Sequence, residues 1–211
     1  MTPRWRSRSS RPISSTPKET GSVADYSLIS TPPLAGTDLR FGTCRITAPA
    51  DLALVSLALP LGGEDAAQKA IAKAFGTALP DIGQSAAASD GSTTLLRLGI
   101  DQGFVMFTHA TPDAERVVAA KLGGAAYTTD QTDVWCALDV TGPDCRRALE
   151  RICPIDLHPD AFTIGSLART TMEHLGVIVI RTDTDSFRLL SASSSAQSFL
   201  HAVETSFANV M

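Results

Sequence analysis

The sequence predicts an α+β protein built of two ferredoxin-like split βαβ units, with mixed sheets and helices packed on one face. The main observation is that the predicted order strand–helix–strand–strand–helix occurs once in each half of the chain. Apolar periodicity separates the two kinds of element. Residues 52–59, LALVSLAL, are almost continuously apolar, which favours a strand buried on both faces. Residues 64–75 place Ile71, Phe75 and three alanines on one helical stripe.

The first half contains the following predicted elements. Strands are predicted at 41–48, 52–59, 94–98 and 104–109, a short strand or arm at 23–29, and helices at 64–75 and 111–122. Gly76 and the Gly123-Gly124 pair follow the two helices, as glycines at helix ends commonly do. Residues 31–36 predict a turn, and residues 81–92, which are small and polar, predict a loop.

The second half repeats the pattern. Strands are predicted at 134–141, 167–175, 177–182 and 187–191. A helix is predicted from Pro143 to Pro154, and a last helix is capped by Ser193 or Ser194. Residues 154–165, PIDLHPDAFTIG, predict a loop rigidified by two prolines.

The chain is therefore expected to have three regions. Residues 1–22 are basic and rich in serine and proline, and no apolar stretch follows them, so they predict a disordered leader rather than a secretory signal. Residues 23–124 form the first α+β half and residues 125–211 the second. The boundary is expected near Gly123-Gly124.

Composition limits the classes of function. With 22 acidic and 18 basic residues the net charge is −4, which argues against a general nucleic-acid binder. Charged residues make up 19% of the chain, against about 25% in ordinary soluble domains. This shortfall indicates either an alanine- and serine-rich composition or a surface partly covered by another protein. No apolar stretch is long enough for a membrane span. Four cysteines without a CxxC pair predict free thiols in a reducing cytoplasm.

No catalytic, cofactor or metal site is predicted. The motifs GxGxxG, GxxxxGK[ST] and GxSxG are absent, and no two of the four histidines lie within five residues of each other. The serine run at 193–195 is interpreted as a helix cap. Cys153 lies on the apolar side of a helix end and is interpreted as a core residue rather than a nucleophile.

The loop at 154–165 holds the candidate functional residues. Asp156 and His158 are two positions apart, and they project from one side if this segment is extended. One interpretation is a carboxylate–imidazole contact in a site or an interface. The other is that Asp156 binds loop amides and His158 caps the turn. Together with Phe162 they define a candidate interface loop.

The same loop carries a resemblance to a known family. The stretch LDVTGP at 138–143, the stretch ALERICPIDLHP at 148–159, and then Phe162 and Gly165 resemble the gamma subunit of heterotetrameric sarcosine oxidase. The later SSAQSFL at 194–200 resembles the closing helix of the family, although Ser193 stands where an arginine is usual. The resemblance is strong over 134–205 and weaker over 23–130.

The resemblance implies a fold similar to the folate-binding domain of aminomethyltransferase, and a role in sarcosine catabolism. The complex has alpha, beta, gamma and delta chains. It demethylates sarcosine to glycine, produces hydrogen peroxide and passes a one-carbon unit to tetrahydrofolate. FAD and FMN are expected on or near the beta chain, NAD and tetrahydrofolate on alpha, and zinc on delta. The gamma chain is then a cytoplasmic, non-catalytic structural subunit. The alternative is a stand-alone folate-binding or aminomethyl-transfer enzyme.

Overall fold

The computed structural model describes residues 31–210. The predicted leader at 1–22 and the predicted strand at 23–29 lie outside these residues. The first elements are β1 (Asp38–Phe41) and β2 (Cys44–Thr47). They are followed by β3 (Leu52–Ala58), α1 (Glu64–Phe75), β4 (Ser85–Ala87), β5 (Thr94–Arg97), β6 (Gln102–Thr108), α2 (Ala114–Leu122) and β7 (Tyr127–Asp130). The last are β8 (Trp135–Thr141), α3 (Cys145–Leu149), β9 (Leu167–Met172), β10 (Leu175–Asp183), β11 (Ser186–Ala192) and α4 (Ala196–Ala208).

Two sheets organise these elements, in the orders β4-β5-β6-β3-β7 and β1-β2-β8-β11-β10-β9. The first sheet contains the order β7-β3-β6-β5, which is the 4-1-3-2 arrangement of a split βαβ unit. The predicted α+β class with two such units is confirmed. Every strand pair in the described part of the chain is antiparallel, so the sheets are not mixed. The strands that a helix connects are never neighbours in a sheet: β5 and β6 lie between β3 and β4, β3 lies between β6 and β7, and β10 and β11 lie between β8 and β9.

The second sheet takes one of its strands from the beginning of the chain. β2 pairs with β8 through Ile46 opposite Val140, and it occupies the position that β7 occupies beside β3 in the first sheet. β7, in turn, lies beyond the predicted boundary at Gly124 but belongs to the first sheet. The sheets therefore do not follow the predicted ranges 23–124 and 125–211. Strand pairing between distant segments leaves no signal in local periodicity.

Apolar side chains fill three layers, so that the two sheets face each other and the helices cover their outer faces. Ile71 of α1 and Val118 of α2 share a buried cluster with Leu57 of β3. The corresponding cluster of the second sheet contains side chains of α3 and α4. A third cluster joins Leu54 of β3 to Ile178 of β10, between the sheets. β3 is therefore buried on both faces, as its apolar run predicts.

Several predicted boundaries change in the structure. The strand predicted at 41–48 covers only the last residue of β1, then a turn and β2, because Gly42, with φ +53°, turns the chain back. The loop predicted at 81–92 contains the three-residue strand β4. α3 ends at Leu149, before Pro154 is reached. None of the four helices in residues 31–210 is both long and apolar enough to cross a membrane.

Candidate functional site

In the loop between α3 and β9, Asp156 and His158 make separate local contacts. The Asp156 carboxylate accepts the backbone N–H of His158 at 2.9 Å. The His158 ring lies instead beside Asp160, with Nδ1 3.5 Å from Oδ2. The contact between the Asp156 carboxylate and the His158 imidazole, which is one of the two interpretations, is not formed, and Asp156 binds a loop amide as the other interpretation states. The physical reason is that the segment turns rather than extends, so the carboxylate closes a local turn.

Phe162 anchors this loop to the protein's own core. Its ring is 5% exposed and packs in the same buried cluster as Leu157. The backbone carbonyl of His158 accepts the N–H groups of Ala161 and Phe162, which winds the chain inward at this point. Asp156 and His158 stay on the surface, whereas the Phe162 side chain is buried within this chain.

Arg181 lies beneath the loop and was not singled out from the sequence. Its side chain is 4% exposed, although it is charged. The guanidinium donates to the backbone carbonyls of Phe162 at 2.7 Å, Thr184 at 2.6 Å and Asp183 at 3.2 Å. Its charge also lies over the Phe187 ring, 5.7 Å from the centroid. A buried arginine held by carbonyl groups stabilises the loop by hydrogen bonding.

The candidate nucleophiles are occupied or shielded. Ser193 donates its hydroxyl to the carbonyl of Asp133 at 2.7 Å, and Ser195 donates to that of Ala192 at 3.1 Å. Cys153 is buried, and burial raises the pKa of its thiol. A protonated thiol is a poor nucleophile, so Cys153 acts as a packing residue.

Cys44 and Cys145 form the closest pair of thiols. The two sulfurs lie 3.8 Å apart in the core, where β2 packs against the start of α3. Burial raises the pKa of Cys145, and the neighbouring Cys44 raises it further. All four cysteines are free, as the sequence predicts.

One histidine belongs to a small polar cluster at the start of α2. His109 Nε2 lies 2.7 Å from the Asp113 carboxylate and 2.8 Å from the Thr111 hydroxyl. These residue types occur in catalytic triads, but here both partners contact the same ring nitrogen and Thr111 also donates to Asp113. In a triad the two nitrogens of the ring serve the base and the orienting carboxylate separately. The cluster therefore organises the turn before α2, and it lowers the pKa of Asp113.

A surface groove with a volume of about 470 Å³ lies between α4 and the turn that joins β9 to β10. His174 and His201 line it together with Glu173 and Arg151. Glu173 has a positive φ of 53°, which places it at the tip of this turn. Within residues 31–210, no group of three or more His, Cys, Asp or Glu side chains is arranged to hold a metal ion.

The chain is similar to known proteins in both sequence and fold. No family model matches the chain. Three curated relatives, at 28% to 33% identity, are named sarcosine oxidase subunit gamma. The relative from Arthrobacter sp is 33% identical over 126 residues, which are 59% of this chain and 62% of the relative. The predicted resemblance is confirmed. The match spans less than two thirds of the length of these gamma subunits.

Solved structures share the fold. The heterotetrameric sarcosine oxidase from Corynebacterium sp. U-96, in complex with pyrrole 2-carboxylate, matches with a TM-score of 0.70 and 23% identity, over 81% of this chain and 87% of that one. The glycine cleavage system aminomethyltransferase T from Bartonella henselae matches with a TM-score of 0.57 and 12% identity, over 76% of this chain and 45% of that one. The chain therefore has the fold of these proteins.

Proposed function

We propose that this chain is a structural subunit of a sarcosine-oxidase-type heterotetramer and carries no catalytic group of its own. The similarity to gamma subunits carries the proposal, because sequence and fold point to the same protein. The partners would be alpha, beta and delta chains. Their complex would oxidise sarcosine to glycine with formation of hydrogen peroxide and pass the one-carbon unit to tetrahydrofolate.

The chemistry of the described residues supports this role. Ser193, Ser195 and Cys153 are engaged by backbone carbonyls or buried, and the His109 cluster fixes a turn. FAD, FMN, NAD, tetrahydrofolate and zinc would then reside in the partner chains. In this chain, side chains serve packing and docking.

The test is co-expression of the tagged full-length chain with the alpha, beta and delta chains of the same organism. The proposal predicts that the chain purifies together with a protein that has flavin absorbance near 450 nm. A chain that stays folded and monomeric, and purifies without a flavoprotein, would contradict it.

A stand-alone folate-binding or aminomethyl-transfer enzyme is the second candidate, because the fold is shared with aminomethyltransferase T. The match covers 45% of that protein. Calorimetry with tetrahydrofolate and the isolated full-length chain separates the two. Heat of binding at micromolar ligand favours the enzyme, and its absence favours the subunit.

A further inference from the structure

Four large apolar side chains lie exposed at one end of the first sheet. They account for most of the exposed large apolar side chains in residues 31–210, and their exposed fractions are 100% for Leu61, 78% for Ile100, 69% for Tyr127 and 53% for Ile82. Burying a side chain of this size contributes about 1.5–3 kcal/mol, so leaving four of them in water forgoes a substantial stabilisation. We call this set the apolar end.

Strand pairing places these residues together. Tyr127 is the first residue of β7 and pairs with Ala58, the last residue of β3, while Leu61 follows three positions later. Ile100 lies in the turn before β6, whose first residue, Gln102, also pairs with Ala58.

Ile82 lies before β4, next to Gly83, which donates its N–H to the carbonyl of Arg97 at the end of β5. The four side chains thus span the sheet from β7 to β4, about 19 Å at about 4.8 Å per strand.

Hydrogen bonds hold the loops of the apolar end in place. The N–H of Gly63 donates to the carbonyl of Pro60 at 2.9 Å, and Gly62 has φ +76°, so Leu61 stands at the tip of a closed turn. The Arg97 guanidinium donates to the carbonyls of Pro80 at 3.2 Å and Ile100 at 3.0 Å. The loops that carry Ile82 and Ile100 are thereby joined to each other. A surface fixed in this way loses little conformational entropy when it binds.

The charges beside the apolar end are mainly acidic. Asp81 and Asp101 are exposed and adjoin Ile82 and Ile100 in the chain. Glu64 and Asp65 lie in the first turn of α1, directly after the turn of Leu61. Arg97 supplies a positive charge, but its N–H groups are held by backbone carbonyls.

This charge pattern selects the kind of partner. In a symmetric contact with a second copy, the same acidic groups would face each other, which disfavours self-association. A partner with an apolar patch bordered by lysine or arginine complements both the shape and the charge. We infer that the apolar end is the surface through which this chain docks on a partner protein with a basic rim around an apolar patch. The inference rests on the proposed function, in which that partner is another subunit of the complex.

A competition experiment tests the docking surface. The full-length wild-type chain and a Leu61→Ser/Ile100→Ser variant carry different tags and are co-expressed with limiting alpha, beta and delta chains. Both positions are exposed, so the variant is expected to keep the melting temperature of the wild-type chain. The two substitutions together should weaken association of the chain with its partners about 100-fold, so that the assembled complex contains almost entirely wild-type chain.

A Val134→Ser/Ile164→Ser variant is the matched control, because these two apolar side chains are exposed outside the apolar end, at 49% and 56%. The control should enter the complex in equal competition with the wild-type chain. An Asp81→Lys/Asp101→Lys variant should lose incorporation about tenfold, and more at low salt than at high salt.

The outcomes separate the two proposals. If the wild-type chain does not assemble at all, the proposed function fails and the docking surface falls with it. If the wild-type chain assembles and the Leu61→Ser/Ile100→Ser variant competes equally, only the docking surface is overturned. It is also overturned if the control is excluded more strongly. Sedimentation that shows a dimer of the isolated wild-type chain, abolished in the same variant, would assign the surface to a second copy instead.

Discussion

At the scale of single residues, Arg181 is one support of the loop after α3. Its guanidinium donates to the buried carbonyl of Phe162 in this loop, and to the carbonyls of Asp183 and Thr184 in the turn that joins β10 to β11. Leaving buried polar groups without partners costs more than the net stabilisation of a typical hydrogen bond. Loss of the Arg181 guanidinium would therefore leave the buried carbonyl of Phe162 without its donor.

An Arg181→Met variant should lower the free energy of unfolding by about 3 kcal/mol, because it keeps the bulk of the side chain and removes its donors. Urea unfolding measures this. Arg151→Met, at an exposed arginine, is the control and should change stability by less than about 0.5 kcal/mol. Equal stability of Arg181→Met and wild type would contradict the assignment of Arg181 as a support of the loop.

The buried thiols predict a pH dependence of stability. Burial raises the pKa of Cys136 and Cys153 above the ordinary thiol value of 9.0. Above about pH 9 the unfolded chain therefore binds fewer protons than the folded one, so the free energy of unfolding falls as pH rises. Urea unfolding at pH 8 and pH 10 should show a smaller fall for Cys153→Ala than for wild type. Identical falls would show that Cys153 contributes no such linkage.

The spacing of Asp156 and His158 was compatible with either interpretation, and only the direction of the backbone decides that the carboxylate meets an N–H group. The sequence does set Arg181 apart, because it is a charged residue at the end of the apolar run of β10. Its partners are backbone carbonyls, however, and no sequence pattern predicts which carbonyls lie beside it. Cys153 was predicted correctly as a buried thiol, although α3 ends at Leu149 and Cys153 lies beyond the helix.

At the scale of elements, prediction succeeded where one face is apolar and the ends are marked. α1 begins and ends as predicted at 64–75, because its buried residues recur at helical spacing and Gly76 follows with φ +66°. β7 was missed since its residues, YTTD, are largely exposed and polar. β4 was missed because it consists of three small residues, SAA, in a polar segment.

The contact between β2 and the turn before α3 gives a prediction at this scale. A Cβ on Gly142 would lie 2.7 Å from the carbonyl oxygen of Thr43 and 2.8 Å from the sulfur of Cys44, and φ is +125°. Gly142→Ala should therefore lower the free energy of unfolding by about 4 kcal/mol, from overpacking and backbone strain together. Gly123→Ala, with φ +57° and no atom within 4 Å, isolates the strain and should cost about 1 kcal/mol. Equal losses in thermal or urea unfolding would contradict a close contact at Gly142.

At the scale of the whole molecule, the two split βαβ units are interleaved. β2 precedes the first unit in the chain but completes the sheet of the second, and a shared cluster containing Leu54 and Ile178 lies between the sheets. Composition and periodicity predicted two units correctly, but they assigned each sheet to one continuous half of the chain. Pairing of β2 with β8 across about 90 residues depends on the assembled fold.

This interleaving predicts a single cooperative unfolding transition. Trp135 lies between the sheets with its ring 6.0 Å from that of Phe104, so a local fluorescence change there reports separation of the sheets. The urea midpoint of unfolding measured by Trp135 fluorescence should coincide with the midpoint measured by far-ultraviolet circular dichroism. To remove the other tryptophan, Trp5, from the signal, the measurement uses a Trp5→Phe variant. Two separate midpoints would mean that the units unfold independently.

The proposed function requires that the chain act as one subunit among partner chains and contribute surface rather than reactive groups. Native mass spectrometry of the full-length chain, co-expressed with the alpha, beta and delta chains, tests it most directly. We expect a single assembly that contains one copy of each chain. A three-chain assembly that is complete and active without this chain, with this chain found free, would contradict it.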